Sequence, residues 1–340
     1  SMGLTYEHAR KCGALVVAWN QEQLKLLPHV LKDNLDAGDS EARLLSREEL
    51  LELEPALAGS KANGKDKASP LGAVLVPREV VSEPWMIPVA YAESARRNGC
   101  AIRTGLAAVG FDIQPLPKAQ SSTEISDTSN DNDKDWHWLI RLWTPDSGKS
   151  LAGVVTASVV INCAGLHGDS IEGLRRDGAL MAASYGTLSE EDATAVHMAG
   201  ETPGASSGTK GTALGGGGHD HRQFTIQPRK GEFVVFDPPE KWEHDPPLNH
   251  IIEPVPTQFT KGVIVWTTPY GQVVVGPTAE NVESKTDRSN SPKVIAALKR
   301  HAAMVLGEDF VQGARVAGLY SGLRPATEHR DYQVCRVQSG

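Results

Sequence analysis

The chain has 340 residues and a formal net charge of −8, with 40% hydrophobic and 22% charged residues. This composition is typical of a globular protein with one large or two ordinary domains, and the negative charge argues against non-specific nucleic-acid binding. No apolar run reaches the roughly 18 residues that a membrane helix needs. The four cysteines are far apart with no C-x-x-C pair, which indicates free thiols in a reducing compartment.

The first hundred residues are predicted to alternate strands and helices. A strand over 12–19 leads into a helix over 21–34, whose leucines recur at helical spacing. Ser46 and Glu49 form the pattern of a capping box at the start of a short helix, which Pro55 ends. The remaining predicted elements of this part are a strand over 71–76, a helix over 83–98 and a strand over 100–103.

Two stretches rich in small polar residues interrupt the pattern, and we predict that both are disordered insertions, at about 115–135 and 185–222. The glycine-rich run at 208–218 has no strand before it and no helix after it. It is therefore predicted to be a flexible loop and not a phosphate-binding loop. His219 and His221 lack a third ligand at helical spacing, so no metal site is predicted there.

The most informative stretch lies at 158–169, where an apolar β-branched run ends abruptly in Cys163, Ala164 and Gly165. The pattern predicts a buried strand that stops at a small-residue turn, followed by a helix that opens near Asp169. Such a turn lets a large group approach the backbone, and a helix N-terminus favours an anion. The alternative is an ordinary buried strand with a tight turn.

Strands alternate with Pro/Gly turns from 224 to 275, which predicts a mostly antiparallel sheet, and a helix is predicted over 291–306. Arg324 lies before Pro325, where a proline turn would aim its planar fork at a carboxylate or phosphate. The alternative is a structural arginine that pairs with Glu328 or Asp331. Arg229 and Lys230 form a second cationic pair, for which the alternative is a solvated strand end.

Four stretches stand in the same order as motifs of a known group of flavoproteins. They are SVVINCAGLHGD at 158–169, QPRKGEF at 227–233, KGVIVWTTPYGQVVVGPTAE at 261–280 and AGLYSGLRPA at 317–326. With these motifs the chain resembles the superfamily of D-amino-acid oxidase and FAD-dependent glycerol-3-phosphate dehydrogenase, from about residue 10 to 334. The glycerol-3-phosphate dehydrogenase branch matches the loops best.

The resemblance implies FAD as the cofactor and assigns a role to each of two sets of residues. The implied FAD contacts are the turn residues Cys163, Ala164, Gly165 and Leu166, the backbone of Val109 beside the adenine, and Gly322 and Leu323. For Val109 the alternative is a plain core valine. The implied substrate contacts are Arg324, which would bind the anionic group beside the flavin, together with Arg229, Lys230, Thr268 and Tyr270.

The resemblance also implies a mixed α/β fold. A partial FAD-binding dinucleotide domain would comprise 96–170 and 311–340, and a mostly antiparallel substrate domain would comprise 1–95 and 171–310. The G-x-G-x-x-G motif and the family's C-terminal flavin-contacting segment do not occur in the sequence. Ser1-Met2-Gly3 resembles a cloning remnant. We therefore expect a fragment of a longer flavoprotein that alone binds FAD weakly and is inactive.

The implied reaction is the oxidation of sn-glycerol 3-phosphate to dihydroxyacetone phosphate by hydride transfer to flavin N5, with electrons passing to a quinone or another acceptor. No catalytic base is assigned. Two alternatives remain: a related flavoenzyme that oxidises a 2-hydroxy acid or an amino acid, and a non-catalytic binding module that has lost FAD. The expected compartment is mitochondrial or cytoplasmic, and the sequence is compatible with peripheral membrane association.

Overall fold

The computed structural model describes residues 9–58, 69–115, 136–144, 150–185, 224–240, 248–256 and 262–329. The chain divides into two compact units, the first comprising Ser1–Ala101 with Pro228–Arg324 and the second Ile102–Gln227 with Pro325–Gly340. The two predicted insertions lie outside the described residues, apart from their end residues Pro115 and Tyr185. The glycine-rich run and the two histidines near it also lie outside the described residues. The assignment of FAD and substrate domains to parts of the chain stays a prediction.

In chain order the strands are β1 (Ala9–Lys11), β2 (Ala14–Ala18), β3 (Arg43–Leu45), β4 (Gly72–Val76), β5 (Val80–Ser82), β6 (Ala107–Pro115), β7 (Trp136–Thr144), β8 (Ser150–Ala157), β9 (Gln227–Asp237), β10 (Ile251–Pro254), β11 (Ile264–Thr267), β12 (Val273–Gly276), β13 (Glu280–Asn281) and β14 (Arg315–Ala326). The helices are α1 (Gln21–Asp36), α2 (Arg47–Leu53), α3 (Met86–Arg97), α4 (Gly168–Tyr185), α5 (Pro292–Leu306) and α6 (Glu308–Gly313). Short 3₁₀ turns form at Pro55–Leu57 and Gly165–His167.

Within the described residues, nine strands of the first unit form one sheet in the order β13-β9-β12-β11-β10-β2-β4-β3, with β14 also paired to β9. The predicted antiparallel character is confirmed for β9, β11 and β12, whereas β10 runs parallel to β2. All five residues of β2 are buried, because both faces of this strand are covered.

Helices cover the sheet of the first unit on both faces. On one face Leu298, Ala302 and Val305 of α5 pack against apolar side chains of β2, β9, β11 and β12. On the other face Leu27 and Val30 of α1 pack against the alternate residues of β2 and β4. The apolar stripe of each helix was predictable, since its members recur at helical spacing.

The predicted capping box begins α2 and is confirmed in both directions. Ser46 Oγ accepts a hydrogen bond from the Glu49 backbone N–H at 3.2 Å, and the Glu49 carboxylate accepts one from the Ser46 N–H at 2.8 Å. Two backbone donors that the helix itself cannot satisfy are thus bonded, which fixes the start of α2.

The second unit contains the antiparallel sheet β6-β7-β8, with α4 packed against β6. The predicted start of α4 near Asp169 is confirmed, and the Asp169 carboxylate also accepts a hydrogen bond from the Ile226 N–H at 3.0 Å. Glu328 accepts one from the Thr225 N–H at 3.2 Å. These two carboxylates tie the segment 224–226 to the unit.

Three predictions about local structure are wrong. The run 158–163 is not a buried strand, since β8 ends at Ala157 and the side chains of Val159 and Ile161 are 74% and 79% exposed. A β-branched run becomes a strand only beside a pairing partner, and β8 is the last strand in the described order of its sheet. Residues 100–103 are likewise irregular, and Arg324 lies inside strand β14 and not in a proline turn.

Candidate functional site

The site is built on strand β9, whose side chains alternate between the two faces of the sheet. Lys230 and Glu232 are buried on the α5 side, as are the core residues that follow them. Arg229, Gly231 and Phe233 point to the opposite side. Neighbouring residues of one strand therefore serve different purposes, and the predicted pair of Arg229 and Lys230 is divided between two faces.

Arg324 of β14 lies directly over Gly231. Its Nη2 donates a hydrogen bond to the Thr278 carbonyl oxygen at 2.6 Å. A Cβ placed on Gly231 would be 2.9 Å from that same Nη2, 3.0 Å from Pro277 Cβ and 3.2 Å from the Thr278 oxygen. Because Gly231 has no side chain, the guanidinium of Arg324 has room to reach the Thr278 carbonyl oxygen.

Arg324 and Arg229 together form a positively charged patch. Partial burial, and then the positive charge of Arg229, lower the pKa of Arg324. Arg229 donates through Nε to the neutral Asn281 Oδ1 at 2.9 Å. Within the described part of the chain, neither guanidinium has a carboxylate within ion-pair distance. Two adjacent cations without a counter-charge favour an anionic ligand. Of the alternative partners considered for Arg324, Glu328 bonds Thr225 and Asp331 lies outside the described residues.

Lys230 has a different environment from Arg229. It is 6% exposed, and its Nζ lies 3.0 Å from Asp287 Oδ2 and 3.2 Å from Ser289 Oγ. Hydrogen bonds from Ser289, and then the one from Lys230, lower the pKa of Asp287 to about 2. Lys230 is already paired and holds the loop that leads into α5. Its ammonium group is therefore separate from the candidate anion site, and its predicted contact with the substrate stays a prediction.

Two threonine hydroxyl groups near the β11–β12 hairpin, those of Thr268 and Thr278, are used within the protein. Thr268 Oγ1 accepts hydrogen bonds from the backbone N–H groups of Tyr270 and Gln272 at 3.3 and 3.2 Å, which closes the β11–β12 hairpin. Thr278 Oγ1 accepts one from the Glu232 N–H at 3.0 Å. The Tyr270 side chain is exposed at the hairpin tip. Thr278 also contacts Arg324, through its carbonyl oxygen. The substrate contacts predicted for Thr268 and Tyr270 stay predictions.

In the second unit, the turn predicted to contact the cofactor presents an open backbone. Asn162 Oδ1 accepts a hydrogen bond from the Ala164 N–H at 3.2 Å, and Asn162 Nδ2 donates to the Gly168 carbonyl at 2.8 Å. Cys163, Ala164 and Gly165 are exposed, and Leu166 is half-buried. Gly165 has φ +55°, with no atom within 4 Å of a Cβ position. These small, uncovered residues fit the close approach of a flat cofactor.

Val109 also fits a cofactor contact. Its side chain is buried, but the register of β6 against β7 skips it between Ala108 and Gly110. A bulge of this kind leaves the backbone groups of the extra residue outside the ladder, free to bond another molecule. The role of Val109 beside adenine stays a prediction, and so do those of Gly322 and Leu323 in β14 beside the flavin.

Three residues of the Arg324 face, Gly231, Phe233 and Tyr320, were not among the predicted site residues. Gly231 carries no chemistry of its own, so only the packing reveals its role. Phe233 and Tyr320 stack with ring centroids 4.5 Å apart and an interplanar angle of 11°. Strand alternation could have grouped Tyr320 with Arg324, since residues four apart in a strand share a face. No group of three metal-binding side chains occurs within the described residues.

Comparisons with known proteins concern the family and the fold. The family model of the FAD-dependent oxidoreductases (DAO) matches residues 3–197 and 191–339. A glycerol 3-phosphate dehydrogenase from Caloramator mitchellensis is 22% identical over 326 residues, which cover 95% of this chain and 49% of that protein.

No helix in the described part of the chain is long and apolar enough to cross a membrane.

Solved structures share the fold. The L-α-glycerophosphate oxidase from Mycoplasma pneumoniae, solved with FAD bound, has a TM-score of 0.63 at 18% identity. The match covers 95% of this chain and 63% of the oxidase chain. The glycine oxidase from Bacillus cereus has a TM-score of 0.59 at 17% identity, with 95% and 64% matched. At such identities the likeness shows the fold and leaves the substrate open.

The chain belongs to the FAD-dependent oxidoreductase family (DAO), and it spans about half the length of the curated relative that it matches. The predicted fold class and the predicted cofactor, FAD, are confirmed at the level of this family.

Proposed function

We propose that the protein is an FAD-dependent dehydrogenase that oxidises sn-glycerol 3-phosphate to dihydroxyacetone phosphate. The observation that carries the proposal is the pair of guanidinium groups of Arg324 and Arg229, which adjoin each other with no carboxylate partner in the described residues. Two adjacent cations are better neutralised by a doubly charged phosphate than by a singly charged carboxylate.

The residues of the chain would bind and orient the substrate. FAD, when bound, would accept the hydride that leaves the carbinol carbon, and a general base would take the hydroxyl proton. Arg324, fixed by the Thr278 carbonyl and by the space over Gly231, would hold the phosphate in one position. Arg229 would supply the second charge. Because the anionic end of the substrate is fixed, the carbon that reacts is held in one orientation, and binding energy contributes to the rate of the reaction.

The proposal concerns the whole protein, because the chain spans about half of its curated relative. The exposed turn at Cys163–Gly165 and the bulge at Val109 support a contact with FAD. The sequence contains no G-x-G-x-x-G motif, so we propose that the pyrophosphate is bound outside these 340 residues. A quinone or another acceptor would take the electrons.

A related flavoenzyme that acts on a 2-hydroxy acid or an amino acid is the second candidate. The planar fork of Arg324 suits a carboxylate as well as a phosphate, and this observation favours it. In that case Arg229 would contribute little, because a single carboxylate is satisfied by one bidentate guanidinium. The phosphate and carboxylate hypotheses therefore differ in what they require of Arg229.

The test is an anaerobic absorbance scan of the protein purified with FAD, as this chain and as the longest natural reading frame that contains it. Glycerol 3-phosphate should bleach the flavin band of the longer protein, and lactate and glycine should not. Arg324→Gln should abolish the bleaching at the same substrate concentration. Arg97→Gln is the matched control, since Arg97 is an exposed arginine paired with Glu93 on α3.

Each other outcome changes the proposal. Bleaching by lactate or glycine but not by glycerol 3-phosphate would establish the second candidate. A longer protein that binds no flavin would support a non-catalytic binding module. Tight stoichiometric FAD binding by the 340-residue chain alone would overturn the placement of the pyrophosphate outside it.

A further inference from the structure

Beside Arg324, the same face carries a rigid and accessible aromatic group. Tyr320 stacks on Phe233, and Phe233 in turn meets Trp266 edge to face with ring centroids 6.4 Å apart. Tyr320 is nevertheless 45% exposed. A ring that is held by stacking on one side and open on the other is suited to contact a ligand at small entropic cost.

The spacing between this tyrosine and the anion site is set by β9. The guanidinium of Arg324 lies over Gly231, and the ring of Tyr320 lies over Phe233. Gly231 and Phe233 are two residues apart on one face of a strand, which corresponds to about 6.6 Å. Between Tyr320 and Arg324, a Cβ on Gly322 would meet no atom within 4 Å. The surface between the two side chains is thus open.

The charge along this face changes from positive at Arg324 to negative near Tyr320. The Arg324 end is positive, and Glu83, which is 7% exposed, lies close enough to Tyr320 to act on it. Burial, and then the charge of Glu83, raise the pKa of Tyr320. The phenol therefore keeps its proton at and above neutral pH, so it can donate a hydrogen bond. The phenol is better suited to donate to a neutral oxygen of a ligand than to a second anionic group, because Glu83 would repel an anion.

We propose that Tyr320 is a specificity-determining residue that donates a hydrogen bond to a hydroxyl oxygen of the substrate, while Arg324 and Arg229 bind its anionic group. This inference rests on the proposed function and adds to it the shape of the substrate. Arg324 lies over Gly231 and the Tyr320 ring lies over Phe233, so the two side chains would bind two separate groups of one substrate, an anionic group and a hydroxyl.

The experiment compares two probes on two variants of the FAD-loaded protein by isothermal titration. Inorganic phosphate tests the arginines alone, and glycerol 3-phosphate tests the arginines and Tyr320 together. Tyr320→Phe keeps the stacked ring and removes only the hydroxyl. Tyr91→Phe, an exposed tyrosine on α3, is the matched control.

Tyr320→Phe should weaken the binding of glycerol 3-phosphate by about 3- to 10-fold, the value of one hydrogen bond, and leave the Kd of phosphate unchanged. If the variant binds glycerol 3-phosphate as tightly as the unmutated protein, the inference is overturned. If the unmutated protein binds phosphate but gains nothing from the glycerol part, the inference fails while the anion site stands. If it binds neither probe, the proposed function fails as well.

Discussion

The two faces of strand β9 differ in how their charges are satisfied. On the α5 side, Lys230 is paired with Asp287, and the Glu232 carboxylate accepts a hydrogen bond from the Ser291 N–H at 2.7 Å. On the other side, Arg229 and Arg324 have only neutral partners in the described residues. Residue type alone therefore does not identify a binding cation. Removing one partner of a buried ion pair destabilises the fold, whereas a cation without a carboxylate partner is available for a ligand.

The largest effect is expected from Arg324→Gln. Removing a charged donor from the anion site should weaken the binding of inorganic phosphate by about 10- to 100-fold, measured by isothermal titration. The Tm should stay the same or rise, because the substitution also removes repulsion from Arg229. A marked fall in Tm with unchanged phosphate binding would show that Arg324 belongs with the structural cations.

Arg229→Gln and Lys230→Met test the two faces directly, because the residues are neighbours in sequence. Arg229→Gln should weaken phosphate binding by about 3- to 10-fold without changing the Tm. Lys230→Met should lower the Tm by a few degrees, since Asp287 and Ser289 lose their partner. If Lys230→Met weakened phosphate binding as much as Arg229→Gln does, the prediction that only the Arg229 face binds the anion would be wrong.

Gly231→Ala should reproduce part of the Arg324→Gln effect without touching a charge. The added Cβ would approach Arg324 Nη2, Pro277 and the Thr278 oxygen within 2.9 to 3.2 Å, so the guanidinium must move. We expect about 5-fold weaker phosphate binding, the value of one hydrogen bond. Gly318→Ala, in the same strand as Arg324, serves as the control, since its Cβ would meet no atom within 4 Å. Equal Kd values for the two alanine variants would contradict this account.

The smallest effect concerns pH and the paired face. The pKa of Asp287 is lowered from 3.8 to about 2, so the folded state binds fewer protons than the unfolded state between these values. The stabilisation is therefore complete above about pH 4 and is lost as the pH falls towards 2. Asp287→Asn should lower the Tm at pH 6, and the difference from the unmutated protein should shrink by pH 2. A difference that is constant with pH would speak against this pairing.

The sequence predicted the elements whose signals are local. The capping box of Ser46 and Glu49 and the buried run of β2 depend on neighbouring residues, and the structure has both. The run at 158–163 failed for the opposite reason. Its β-branched composition favours a strand, but pairing depends on a partner that no local pattern provides, and Ile161 is exposed.

The candidate site was predictable only in part. Arg324 and Arg229 were identified because arginine beside proline or in a strand motif has recognisable chemistry. The contribution of Gly231 depends on an approach of Arg324 from another strand, 93 positions later in the sequence, which no spacing rule describes. The different environments of Arg229 and Lys230 were predictable, since adjacent residues of a strand point to opposite faces.

The fit of Arg324 over Gly231 has a consequence for how relatives of this protein can be sorted. A side chain at position 231 would displace an arginine at position 324 from this pose, so we expect the two positions to vary together. A relative with a bulkier residue at 231 should bind its anion more weakly or through other residues. This pair of positions therefore offers a diagnostic that can be read from sequence alone, before any substrate is tried.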